Sequence, residues 1–145
     1  MKSSIRWALT PPAIIAAFIA AVVLVIPVNY TIHTLLWSTG HQMPGKQFLM
    51  VVMPFDGAIA AFLVVLIGAF TAPRRRILTA FIVLISGAAI AWVLVGEIYS
   101  PTYYPPKLFP DGPPRVWSPI VGTYVGGLLG ALVIAIRERK KGEIK

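Results

Sequence analysis

The sequence predicts an all-α protein: a polytopic bundle of four transmembrane helices, with cytoplasmic N- and C-termini and a proline- and aromatic-rich outer loop. Three observations carry this. First, the 145 residues are 57% hydrophobic and 12% charged, with a mean hydropathy of +0.79, whereas soluble domains lie near half apolar and a quarter charged. Second, four apolar runs each approach the roughly 20 residues that cross a hydrocarbon core of about 30 Å. Third, most of the thirteen Lys and Arg fall where a positive-inside topology requires them: Lys2 and Arg6, then Arg74, Arg75 and Arg76, then the tail 137–145.

The expected layout is one transmembrane domain, multi-pass in the plasma (inner) membrane. Its spans fall at about 11–28, 48–72, 77–98 and 118–136, with outer loops at 29–47 and 99–117, a basic cytoplasmic turn at 73–76 and a basic tail at 137–145. The net charge of +8 raises nucleic acid as a partner, but charge gathered at span ends is a topology signal rather than a binding face. There is no cysteine, which excludes disulfides, thiolate metal sites and cysteine nucleophiles.

The first span starts after Lys2, Arg6 and Trp7, with Pro11 and Pro12 in the position that opens a helix. A basic start followed by an apolar core also resembles a signal peptide. No Ala-x-Ala-like site follows the run, which ends Ile26-Pro27-Val28-Asn29-Tyr30, so an uncleaved anchor is expected. The outer loop 29–47 carries Asn29-Tyr30-Thr31, His33 and His41. The glycosylation pattern has no secretory context, and two histidines eight residues apart are too sparse for a metal site.

The second span sorts into two faces at about 100° per residue. Phe55, Ile59, Phe62, Leu63, Leu66 and Phe70 share one side, and Asp56, Gly57, Ala60, Ala61, Gly68 and Thr71 the other. Small and polar residues in lipid face other helices, so Asp56, Gly57 and Ala61 are expected inside, and Pro54 is expected to kink the outer end. In the third span Thr79, Ser86 and Glu97 fall within an arc of about 20°. That arc predicts an inward polar stripe, with Phe81, Ile85 and Trp92 opposite.

The loop 99–117 and the residue pairs at its ends are dense in Pro, Tyr, Phe and Trp, which excludes helix and favours an extended path at the outer interface. In the fourth span Ser118, Gly122, Gly126 and Gly130 recur every four residues. Such a stripe lets another helix approach to backbone contact, within the bundle or from a second protein. Arg137, Arg139, Lys140 and Lys141 join the arginine turn as residues for lipid headgroups on the cytoplasmic side.

Asp56 and Glu97 are the candidate site. At about 1.5 Å per residue, Asp56 stands roughly 24 Å and Glu97 roughly 30 Å above the cytoplasmic boundary. The two acids are therefore placed to meet on the outer side. A carboxylate there needs a partner such as Lys46, Lys107 or Arg115, or else takes up a proton or cation. No Gly-x-Ser-x-Gly, phosphate-binding glycine loop or His-Glu-x-x-His is present, so no catalytic residue or cofactor is named. Small multidrug transporters carry their glutamate in the first helix, where this chain has no acid. Fluoride channels resemble the chain in size and helix count, but their charge bias is weak and the bias here is strong. The expected function is a structural or accessory subunit packing against a partner membrane protein or another copy of itself. The alternative is a small ion- or proton-coupled transporter using Asp56 and Glu97.

Overall fold

A computed structural model describes residues 3–41, 45–98 and 117–143. They form four helices: α1 Ser3–Ser38, α2 Gly45–Thr71, α3 Arg76–Ile98 and α4 Trp117–Glu143. All four are long and apolar enough to cross a membrane. The described residues are thus helical apart from the short connections, and their four apolar helices suit a multi-pass membrane protein. The outer loop expected at 99–117, apart from Trp117, lies outside the described residues.

The helices outrun the expected spans at several ends. α1 begins at Ser3 rather than at the Pro11-Pro12 pair and continues through Pro27 to Ser38, absorbing most of the expected first outer loop. Each proline costs one backbone donor, but hydroxyls along the helix are locally satisfied: Thr10 Oγ1 donates to the Arg6 carbonyl at 3.0 Å, and Thr31 Oγ1 to the Pro27 carbonyl at 2.8 Å. α1 ends in a Schellman turn. The His41 N–H donates to the Leu36 carbonyl at 3.0 Å and the Gly40 N–H to the Trp37 carbonyl at 3.2 Å, with Gly40 at φ 76°. Glycine adopts that left-handed geometry without a Cβ clash. α2 runs through Pro54 as one helix. α4 carries its helix through the basic tail to Glu143, so Arg137, Arg139, Lys140 and Lys141 ride on a helix end.

The chain alternates direction from helix to helix, which makes α2 and α4 parallel. α2 is the hub, packing against α1, α3 and α4, while α3 and α4 also pack together. α1 makes close backbone packing with α2 alone among the described residues. The arrangement is therefore a three-helix unit with α1 laid on its outside, not a symmetric ring of four.

The core lies where α2, α3 and α4 converge: Val65 and Ala69, Ala80, Val83 and Leu84, Ala131 and Ile134. Val65 and Ile134 are its largest fully buried side chains. The α2–α3 connection is held by an Ala72 N–H to Gly68 carbonyl bond at 3.3 Å and a Thr79 N–H to Arg75 carbonyl bond at 3.0 Å. Within it Arg75 takes φ 51°.

Two expected faces need correction. On α3, Thr79 is buried but Ser86 is exposed, while Ala80, Val83, Leu84 and Ala88 are buried. The buried arc is centred on small and aliphatic residues, and the polar stripe lies along its edge. On α2, Phe55 and Ile59 are exposed as expected, but Phe62, Leu63, Leu66 and Phe70 are half-buried. A helix contacted on three sides has little free surface, and Phe70 packs against the core.

Candidate functional site

The expected glycine stripe has its partner within the chain. A Cβ on Gly122 would strike the backbone of Pro54, and one on Gly126 the backbone of Ala58. A Cβ on Gly130 would come within 3.1 Å of the Phe62 carbonyl oxygen. The partners thus also recur every four residues, as two parallel helices in register require. Gly57 completes the seam from the other side: its Cβ would lie 2.6 Å from the Pro119 carbonyl and 3.0 Å from Thr123 Oγ1. Thr123 Oγ1 itself donates to the Pro119 carbonyl at 2.9 Å. Ser118 shares the stripe by register, though its side chain lies outside the described residues. Backbone-to-backbone approach of this kind maximises van der Waals contact, the main attraction available between helices in lipid.

Asp56 sits beside this seam, between Phe55 and Gly57, and is half-buried. Its Oδ2 accepts a hydrogen bond from Asn29 Nδ2 at 2.9 Å. The amide is neutral, so the bond satisfies one carboxylate oxygen without cancelling charge. The second acid, Glu97, lies on the last turn of α3, and its side chain is outside the described residues, as are those of Lys46, Lys107 and Arg115. One turn beyond Asn29 along α1, His33 meets Phe48 of α2 edge-on, with ring centroids 5.1 Å apart. His33 Nε2 also accepts from Trp37 Nε1 at 3.1 Å. Asn29–Asp56 and His33–Phe48 together tie the far ends of α1 and α2.

Asn29 is the partner that the sequence reading missed. The signal was depth. Asn29 lies 18 residues along from Pro11, or about 27 Å, against about 24 Å for Asp56 on the neighbouring antiparallel helix.

Below this polar contact an apolar hollow of about 90 Å³ opens on the flank of the three-helix unit. Phe18 of α1 forms one wall, Gly57, Ala60 and Ala61 of α2 the floor, and Gly87 and Ala91 of α3 the other wall. Thus Ala61 lines a hollow, whereas Gly57 serves both the hollow and the α4 seam. A Cβ on Gly87 would meet nothing within 4 Å.

At the opposite, basic end, Glu138 collects two cations. Arg76 Nη1 lies 3.2 Å and Lys141 Nζ 2.7 Å from its Oε1. This clamps the start of α3 to the end of α4. The Arg137 guanidinium stands 4.6 Å over the Phe70 ring, a cation–π contact between α4 and α2. Arg74 and Arg75 are exposed. Among the described residues no three His, Asp or Glu side chains come together.

Compared with known proteins, the chain matches no family model, no curated protein and no solved structure.

Proposed function

We propose that the protein is an accessory subunit of the plasma (inner) membrane, with both termini cytoplasmic, that packs against a transmembrane helix of a partner protein and takes one of its side chains into a hollow. The observation that carries this reading is the small-residue hollow between α1 and α3. The glycine stripe of α4 no longer supports it, because α2 occupies that stripe. The hollow remains open instead, since α1 and α3 both pack on α2 but not closely on each other. Glycine and alanine lining within a lipid-facing surface is the composition that helix pairs use for close approach.

The test is co-purification in mild detergent followed by mass analysis, repeated with Gly87→Leu. A Cβ there meets nothing within 4 Å, so the added side chain grows into the hollow, and the melting temperature checks that the fold is kept. Wild type should retain a defined membrane partner, and Gly87→Leu should lose it at unchanged thermal stability. Recovery of partner-free, monodisperse wild type, or equal retention by the variant, overturns the reading.

A second reading rests on the Asp56–Asn29 contact: a small ion- or proton-coupled transporter in which the carboxylate binds the coupling ion. A half-buried acid whose described partner is neutral retains the capacity to take a proton or cation. In reconstituted vesicles, pH-dependent flux lost in Asp56→Asn supports this reading. Unchanged flux in both Asp56→Asn and Glu97→Gln rejects it.

A further inference from the structure

The basic end holds a feature that neither reading uses. A second hollow, of about 220 Å³, lies where the first turns of α1 meet the last turn of α2, lined by Arg6, Leu9, Phe70 and Thr71. Arg6 is half-buried there, while Leu9 is exposed. Phe70, which forms part of the lining, also carries the Arg137 guanidinium over its ring. Arg6 of α1 thus lines the hollow, and Arg137 of α4, outside the lining itself, reaches the ring of Phe70, which does line it.

The surrounding charges are of two kinds. Arg76 and Lys141 both reach Glu138. Among the described side chains, whose carboxylates are Asp56 and Glu138 (those of Glu97 and Glu143 lie outside them), Arg6 and Arg137 form no ion pair. Asp56 lies far up α2, about 21 Å from Phe70 at about 1.5 Å per residue, and cannot neutralise them. Arg6 gives the hollow a basic side, and Leu9 and Phe70 give it an apolar one.

We infer that this hollow binds the headgroup of an anionic phospholipid, with the phosphate between Arg6 and Arg137 and the upper acyl chain against Leu9 and Phe70. Guanidinium groups present planar, forked donors that match phosphate oxygens. Basic pockets between transmembrane helices on the cytoplasmic side are a recurring form of anionic-lipid site. Depth selects a lipid over a soluble anion. Thr71 is the last residue of α2 and Arg6 lies within the first turns of α1, so the arginines sit at headgroup level while Leu9 and Phe70 lie on the hydrocarbon side. Thr71 Oγ1 is already committed to the Ile67 and Gly68 carbonyls, at 3.1 and 3.0 Å, which leaves the two arginines to do the binding.

The experiment is native mass spectrometry of the full chain in detergent, titrated separately with phosphatidylglycerol and phosphatidylcholine. Wild type should retain one phosphatidylglycerol with at least tenfold preference over phosphatidylcholine. The double variant Arg6→Gln/Arg137→Gln should lose at least tenfold in retention. The charge-matched double variant Arg74→Gln/Arg75→Gln should lose less than threefold. Leu9→Asn, with every charge intact, should also weaken retention several-fold, and if the Arg6/Arg137 variant fails to stay monodisperse, Leu9→Asn and Arg6→Gln alone carry the same comparison. Equal losses in the two charge-matched variants, or equal retention of both lipids, would reduce the site to diffuse charge and overturn the proposal. Displacement of the lipid by equimolar glycerol phosphate would mark a soluble-phosphate site and overturn it equally.

Discussion

α4 and α1 both pack on α2, but by different means. The α2–α4 seam is backbone against backbone, with Gly122, Gly126 and Gly130 facing Pro54, Ala58 and Phe62. The α1–α2 junction also packs closely, with Ala17 and Ala21 buried, but its specific contacts are made by side chains: Asn29 to Asp56, His33 to Phe48, and Ile14 against Gly68. Glycine contacts have no rotamers to adjust, so the first interface tolerates almost no change. Side-chain contacts can give by small rotations, so the second can yield. The lesson is that α2, α3 and α4 share one core, whereas α1 is joined to that frame through α2 alone and is the helix with the most room to adjust.

The most direct way to break this contrast is Gly126→Leu. A side chain there would have to displace the α2 backbone at Ala58, and overpacking of this kind costs about 3 kcal/mol. Loss of monodispersity or a large fall in melting temperature in detergent is expected, and a near-native melt would refute the rigid-seam account. Asn29→Leu is the matching change at α1. It removes the described donor to Asp56 and should cost about 1 kcal/mol. The decisive readout is local: faster hydrogen exchange across α1 with α3 and α4 unchanged. Uniform loosening of all four helices would show that α1 is not a separable element.

Glu138→Gln sharpens the comparison at the basic end. It weakens the clamp to Arg76 and Lys141, which is partly solvated, so an effect of about 0.5 kcal/mol is expected. That effect should shrink further at high salt, as screening of an exposed pair requires. The smallest change should come from Gly87→Ala, because the added methyl meets nothing within 4 Å. Any shift should lie toward stability, since alanine is the better helix former. A clear loss of stability there would mean that the hollow between α1 and α3 is narrower than described.

Much of this fold was legible because hydrocarbon demands long apolar runs, and four of them stand out. The stripe at Gly122, Gly126 and Gly130 was legible as a contact surface, since only small residues permit such approach. Its partner was not, because Pro54, Ala58 and Phe62 share no residue type: what meets the glycines is backbone, which every residue has. The extent of α1 was also hidden. Residues 29–38 mix Thr, His and Asn with aromatics, a composition that suits either a loop or an amphipathic continuation, and packing of His33 on Phe48 favours the latter. Asp56 was visible as an anomaly, but its partner Asn29 was concealed by lying in a stretch expected to be non-helical. Glu138 was overlooked because it lies among many bases in the tail, yet that is why it gathers two of them.

The length of α1 has a mechanical consequence. Its 36 residues carry an exposed Trp7 near one end and an exposed Trp37 near the other. Thirty residues of helix between them span about 45 Å, close to the full thickness of a bilayer including its headgroup zones, about 40–45 Å. Indole rings prefer those zones, so α1 works as a ruler laid across the membrane. In a thinner bilayer both tryptophans keep their depth only if α1 tilts, while the shorter helices of the glycine-locked frame need not follow. Membrane thickness would then be read out as the angle between α1 and α2, with the Asn29–Asp56 bond at the end of the lever.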